Sequence, residues 1–399
     1  MNQSVNQGPA AAHAASVGPE SAASYRMCIR CVMDTSDPAI VFDEHGVCNH
    51  CSRAELLLKT RLPGYKSGQY PLDRLVRRIR AEGQGKPYDC IVGVSGGADS
   101  TYAAYAAKKC GLRPLAVHFD NGWNAELAVH NIESVLRKLD IDLFTHVVDW
   151  EEFRDLQLSF LRASVPDAEI PTDHGIWALL FQTAARFKIR YVISGTNIST
   201  ESILPRSWTY YVTDWTYIKD IYQRFGTTAL RTFPHCNVWR FMYYVLVRRV
   251  RMVSILNMID YKREAAIAEL ERELGWRSYG GKHHESMYTR FFQSYILPIK
   301  FGIDKRRAHL SSLIMSGQVA REEALEELQK PIADPATLYE DRIYVTKKLN
   351  LTPAEFEAIM SLPVKSYHAY RNESRRYRRL LWLMRRGQRL RLLPSQIGM

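Results

Sequence analysis

Long apolar runs are scarce in this 399-residue chain, and none reaches the roughly 18 consecutive apolar residues that a membrane-crossing helix needs. The nearest approach, Phe241 to Tyr261, is interrupted by Arg248, Arg249 and Arg251, so no span of a bilayer is expected. Residues 1–25 carry almost no charge and lack both the basic start and the apolar block of a secretion signal. They are expected to be disordered, and the chain to be cytoplasmic. Cysteine is sparse, seven in all, and without an export signal a disulfide framework is disfavoured. Acidic residues thin out at the far end, where ten Lys or Arg between Lys365 and Met399 face a single acid, Glu373. Most of the net charge of +12 therefore sits in that tail, which reads as a solvated helix face or a partner-docking surface. The remaining chain is near neutral and, at 46% hydrophobic overall, suits one large α/β domain with additions.

Cys90 to Val94 is an apolar strand, Ser95-Gly96-Gly97-Ala98-Asp99-Ser100 a glycine turn, and the alanine-rich stretch beyond it a helix. Glycines at such a turn let backbone approach an anion closely, amides at the helix start point at phosphate, and Ser95 and Ser100 add hydroxyl donors. The lysine and spacing of a Walker A loop are missing. The turn instead resembles the S-G-G-x-D-S signature of the ATP pyrophosphatase (PP-loop) superfamily. That resemblance implies cleavage of ATP between the α and β phosphates, with Asp99 placed to hold a magnesium ion.

Cys28-x2-Cys31 and Cys48-x2-Cys51, sixteen residues apart, have the spacing of a structural zinc site. Four thiolates would close a tetrahedral all-sulfur site with no open position for chemistry. Cys90, Cys110 and Cys236 are isolated and are expected to be buried thiols.

From Tyr88 onward strands alternate with helices, predicting a doubly wound parallel sheet. The predicted strands end at Val94, Phe119, Val148 and Ser194, and the helices cover residues up to Lys109, Ala125–Leu139 and about Gly175–Lys188. Ligands of such sheets bind at the carboxyl ends of strands, which singles out Ser95–Ser100, His118–Asn121 and Gly195–Asn197 as an ATP pocket. The expected organisation is an extension over 1–25, a zinc-binding module of four cysteines over 26–60 and an ATP-binding α/β domain over 61–200. A helical substrate-binding region over 201–364 and the basic tail over 365–399 follow. Within 201–364, Lys262 to Leu274 reads as a helix stopped by Gly275. Asp304 reads as an N-cap that places Lys305 and Arg306 in a helix first turn, where cations are favourable only beside an anion. That conflict predicts a phosphate site. Lys282, His283 and Glu285 read as substrate contacts or a loop network, and Thr352-Pro353-Ala354-Glu355 as a capping box.

The paired cysteines around Asp43–Val47, the Ser95–Ser100 loop, His118–Asn124, Pro171–Gly175, Gly195–Asn197, Gly281–Ser286 and Lys300–His309 together resemble the N-acetyl sugar amidotransferases of surface-polysaccharide and flagellin-glycan biosynthesis. The resemblance implies an ATP-dependent ligase that adenylates the oxygen of an acetamido group and lets ammonia displace AMP. An acetamidino sugar and pyrophosphate result, in lipopolysaccharide O-antigen or related glycan synthesis. It implies Ser95, Gly96, Gly97, Asp99 and Ser100 at the pyrophosphate and its magnesium, with His118, Asp120, Gly195 and Thr196 near the adenosine. Asp173 and His174 would lie at the reacting end, Lys300, Lys305 and Arg306 at phosphate charge, and Asn197, Glu201, Lys282, His283 and Glu285 at the N-acetylated, nucleotide-linked sugar. No cysteine follows Met1 and no G-x-C-x-G turn is present, so ammonia is expected from a separate glutaminase subunit. The rival expectation is a zinc-containing tRNA-modifying member of the superfamily, of the thiolase or lysidine-synthase kind.

Overall fold

A computed structural model of the chain describes residues 25–62, 64, 71–279, 285–376, 379, 382 and 386. Residues 1–24, Lys282, His283 and most of the basic tail lie outside the described residues.

Five parallel strands, β1 (Cys90–Gly93), β2 (Pro114–Asp120), β3 (Leu143–Val147), β4 (Tyr191–Ser194) and β5 (Arg251–Ser254), form one sheet in the order β3-β2-β1-β4-β5. β1 is central and unbroken in apolar character because both of its faces are covered. Its alternate residues go to opposite sides: Ile91 joins one core with Leu115, Val117 and Val192, whereas Cys90 and Val92 join the other with Ala116 and Ile193. The helices preceding or connecting these strands are α1 (Asn49–Arg61), α2 (Leu72–Gly83), α3 (Ala98–Lys109), α4 (Glu126–Leu139), α5 (Trp150–Ala163) and α6 (Ile170–Arg186). α3, with Ala103, Ala104 and Ala107 inward, lies close on one face, and α6, with Ala178, Leu179 and Phe181, on the other. The strand order reverses direction between β1 and β4, and there the Ser95–Ser100 loop sits.

The doubly wound parallel sheet is as expected, with two differences. α6 starts at Ile170, five residues before the predicted start, with Pro171 in its first turn, where proline's fixed φ suits a helix and its missing N–H costs nothing. The stretch Phe241–Tyr261 is neither one long helix nor a loop. A short helix, Val238–Met242, runs into a π-helical turn, Tyr243–Val247, and the chain then enters β5 as an edge strand. Among the described residues no helix is long and apolar enough to cross a membrane.

Beyond the sheet the chain is helical. The helix Arg263–Leu274 ends on Gly275 at φ +68°, and the helix Pro353–Met360 opens with the expected Thr352–Glu355 capping box. The helix Lys305–Met315 is tied to the cysteine-bearing segment, since its Ser311 hydroxyl accepts the Val32 amide (3.2 Å) and its Arg307 pairs with Asp34 (3.0 Å). Arg321 donates to the carbonyls of Cys28 (3.1 Å) and Cys31 (3.2 Å). The cysteine-bearing segment is thus bound to the same helix that carries Lys305 towards the sheet.

Candidate active site and metal centre

The four sulfurs of Cys28, Cys31, Cys48 and Cys51 lie within 4.8 Å of one another and all four residues are buried. Neighbouring separations are 3.6, 3.7 and 3.8 Å, far longer than a disulfide. A tetrahedron of thiolates about 2.3 Å from a zinc ion has edges of about 3.8 Å, so the donor set fits that ion. Backbone amides of Arg30 (3.4 Å) and Cys48 (3.2 Å) reach the Cys28 sulfur and that of Met33 (3.4 Å) reaches the Cys31 sulfur, as bonds to thiolates do. Were all four ionised, thiolates this close would require a cation among them.

The loop after β1 is held by its own hydroxyls. Ser100 Oγ accepts the Ser95 amide (3.2 Å), lies 3.1 Å from Ser95 Oγ and donates to the Gly97 carbonyl (3.1 Å). Gly96 has φ +85°, and a Cβ there would stand 2.9 Å from the Ala128 carbonyl. Its own carbonyl is fixed by Trp276 Nε1 (2.8 Å) and the Tyr279 hydroxyl (2.9 Å). Gly97 is the N-cap of the twelve-residue α3 and supplies no capping side chain, so the amide-rich, positive end of α3 opens on the cavity. Gly195 completes the loop from β4, where a Cβ would stand 2.7 Å from the Ser100 amide nitrogen. Only glycine allows that approach. The Tyr261 hydroxyl donates to Asp99, and burial first, then the Asp99 charge, raises the Tyr261 pKa and keeps the phenol a donor.

A cavity of about 390 Å³ extends from this loop across the sheet end. It brings together Ser95, Gly97, Asp99, Ser100, His118, Asp173, Gly195, Thr196, Glu201, Glu285 and Lys305. Val117, Phe119, Ile176, Leu179 and Leu180 supply apolar wall. His118 Nδ1 lies 2.9 Å from the Val94 carbonyl, to which it can donate, and its Nε2 lies 3.0 Å from the Asn124 amide nitrogen, so the ring is held in one orientation. At the far end Lys305 pairs with Glu169 (3.1 Å), whose carboxylate also accepts from Gln293 (2.9 Å). Burial works against the Lys305 charge, but the Glu169, Asp167 and Asp173 carboxylates outweigh it and hold the pKa above the usual lysine value. Glu285, expected at the sugar, lies against the phosphate loop. Its Oε1 accepts from Ser95 Oγ (3.4 Å) and would be 2.7 Å from a Cβ on Gly97.

Five expected site residues lie elsewhere. Lys300 donates to the carbonyls of Ile359 (2.7 Å), Met360 (2.9 Å) and Leu362 (2.8 Å), and burial lowers its pKa to about 8. Arg306 forks onto the Asp304 carboxylate (2.8 Å) and donates to the carbonyls of Glu327 (3.2 Å) and Lys330 (3.0 Å). Each cation has found negative charge at the C-terminal end of another helix instead of a phosphate. Asp304 does cap its helix, accepting the Arg306 amide (2.9 Å). Asn197 is a buried N-cap whose Oδ1 accepts the Thr200 amide (2.9 Å). Asp120 accepts from Asn124 (3.0 Å) and the Gly122 amide (2.9 Å), one residue behind the cavity wall.

His174 is the fifth. Asp173 and His174 are neighbours in the first turns of α6, about 100° apart around it, so one faces the cavity and the other the core. His174 is fully buried, donates from Nδ1 to the Val212 carbonyl (2.6 Å) and accepts the Cys236 amide at Nε2 (3.1 Å). Burial lowers its pKa to about 4. The unfolded chain, with a histidine near 6.5, binds the proton more readily, so stability present above pH 6.5 is lost as pH falls towards 4. We expect about 3 kcal/mol from this residue across that window, read as a fall in Tm that the variant His174→Gln does not share.

Sequence reasoning missed Glu169, Arg263, Trp276, Ser278, Tyr279, Thr289 and Gln293, all of which line the cavity, and Tyr261. They come from several elements: Glu169 just before α6, Arg263 at the start of the helix Arg263–Leu274, Trp276, Ser278 and Tyr279 in the segment after that helix, and Thr289 and Gln293 one turn apart on the helical stretch 287–296.

No curated protein matches the chain. Among solved structures it is similar to an NMN synthetase from Francisella tularensis, at 14% identity and TM-score 0.27, covering 74% of this chain and 97% of that one. It is also similar to an NH3-dependent NAD synthetase from Campylobacter jejuni, at 13% identity and TM-score 0.28, covering 71% and 96%. Superpositions this loose carry no functional weight. A family model does match: residues 285–385 correspond to the family described as LPS biosynthesis protein WbpG-like, C-terminal domain. That stretch contributes Glu285, Ser286, Thr289, Gln293 and Lys305 to the cavity, so over residues 285–385 this chain is similar to the WbpG-like proteins of LPS biosynthesis.

Proposed function

We propose that this protein is an AMP-forming, ATP-dependent amidotransferase that converts an acetamido group of an N-acetylated, nucleotide-linked sugar to acetamidino. One observation carries the reading. The uncapped N-terminus of α3 and its glycine loop share a single cavity with Asp173, Glu169 and Lys305, so a triphosphate gripped at one end leaves room for a second reactant at the other. With the β and γ phosphates on the loop amides, the α phosphorus faces the reacting end. The amide carbonyl is a poor electrophile because nitrogen donation satisfies it and oxide is no leaving group. Transfer of the adenylyl group to the amide oxygen, with loss of pyrophosphate, turns that oxygen into a leaving phosphate. Ammonia then adds at carbon, and the tetrahedral species expels AMP with the former amide oxygen. Lys305 is positioned to neutralise phosphate charge, and Asp173 and Glu169 to accept the protons that ammonia must shed.

Asp99, in the first turn of α3, and Glu285, against Ser95, both line the cavity beside the loop, and their carboxylate oxygens are of the kind that would hold magnesium, which when bound neutralises phosphate charge. The cysteine cluster is assigned zinc and a supporting role. Residues 61–200 would form the ATP-binding part and 201–364 the part that completes the sugar site. Ammonia would come from a separate glutaminase subunit. The family match in LPS biosynthesis supports a sugar substrate, and no cysteine lines the cavity among the described residues, which speaks against sulfur transfer to tRNA.

Incubation with ATP, ammonium and a panel of UDP- or CMP-linked diacetamido uronic acids, followed by mass spectrometry, tests this. The expected product is one mass unit lighter than its substrate, oxygen having become NH, and glutamine alone gives none. Glutamine-driven turnover by the pure chain, or no mass change with any member of the panel, would contradict it.

A further inference from the structure

The helix Val238–Met242 and the π-helical turn Tyr243–Val247 are apolar on both sides. The inner side is committed to the core: Phe241, Tyr244 and Val245 are buried, and the Phe241 ring stands 4.8 Å from that of Trp177 and 5.6 Å from that of Phe181. The outer side should then be polar, as on an ordinary surface helix. Instead Trp239 is 74% exposed, Val247 66%, Tyr243 46% and Leu246 44%.

The charge carried by this stretch of sequence is of one sign. From Gly226 to Ile259 the sequence holds arginines but no aspartate or glutamate. Arg231, Arg240 and Arg249 are exposed. Arg248 is tied to the Ala185 carbonyl (2.7 Å), and Arg251 lies 3.8 Å from Glu82 at the sheet edge.

We propose that this face rests on an anionic lipid bilayer, with Trp239, Tyr243, Leu246 and Val247 entering the headgroup boundary and the arginines meeting lipid phosphates. Tryptophan and tyrosine have an apolar body with a polar tip, which suits them to that boundary. Exposed guanidinium groups add attraction to a negative leaflet, and reversible attachment needs both contributions together. The inference is independent of the reaction proposed above.

The test is co-sedimentation of the full chain with vesicles of phosphatidylcholine, with and without phosphatidylglycerol, followed also by tryptophan emission. Binding is expected to the anionic vesicles only, to weaken with added salt, and to shift the emission to the blue. The double variant Trp239→Ser, Val247→Ser should weaken binding by about tenfold or more with an unchanged Tm, because both side chains are exposed. Arg240→Glu should act in the same direction. Absence of binding to anionic vesicles would overturn the proposal. So would equal binding by the double variant, which would assign it to the basic tail, or a self-association that this variant abolishes, which would make the face a protein interface.

Discussion

Replacing Asp99 by Asn is expected to lower ammonium-dependent turnover by about 10²- to 10³-fold, the scale of losing one fixed charge-stabilising group in a dry site. The fold should survive the change. Asp99 accepts the Tyr261 hydroxyl, and the amide oxygen of asparagine can accept it equally. What is lost is a full negative charge in the first turn of α3, at the edge of the cavity. On the proposed function, its loss would remove an attachment point for a divalent cation and leave the helix end and Lys305 to face the triphosphate alone. Substrate-dependent exchange of pyrophosphate into ATP, measured beside Tm, checks this. Exchange within about tenfold of wild type in a folded Asp99→Asn protein would remove Asp99 from the phosphate site.

The second large effect concerns stability. Cys48→Ser is expected to abolish stoichiometric zinc and to cost about 3 kcal/mol or more, because a structural thiolate site contributes folding free energy directly. The Cys48 sulfur stands 3.6 Å from Cys31 and 3.7 Å from Cys51, so its loss opens the tetrahedron. The damage should extend beyond the module. Val32 and Asp34, within the cysteine segment, hold Ser311 and Arg307 of the helix that carries Lys305. Activity should therefore fall in step with the folded fraction rather than vanish separately. Elemental analysis and thermal melting with and without chelator check this, and a wild-type protein with less than half a zinc per chain would contradict the assignment.

The parts of the site that rest on contiguous sequence were legible. The strand, the glycine turn and α3 follow one another directly, and backbone geometry alone requires glycine at a turn such as Gly96. The cysteine cluster was legible for the same reason. Harder to read was where a charged side chain goes once its helix has formed. Lys300, Lys305 and Arg306 lie close together in sequence, yet only Lys305 reaches the cavity, since the other two meet the carbonyl ends of helices at Ile359–Leu362 and Glu327–Lys330. Asp173 and His174 could be separated only once the early start of α6 was known. Glu169, the partner of Lys305, carries no pattern of its own and gains its role from a contact 136 residues away. β5 was hidden because an edge strand of four residues, beginning at Arg251, has neither length nor alternation enough to stand out.

The central claim is that the amide oxygen is activated by the α phosphate of ATP, and isotope transfer tests it most directly. A sugar carrying heavy oxygen in the reacting acetamido group, incubated with ATP and ammonium, is predicted to yield AMP that contains the label and pyrophosphate that does not. Formation of ADP, or recovery of the label in inorganic phosphate, would show that the γ phosphate is the activating group and would contradict the account.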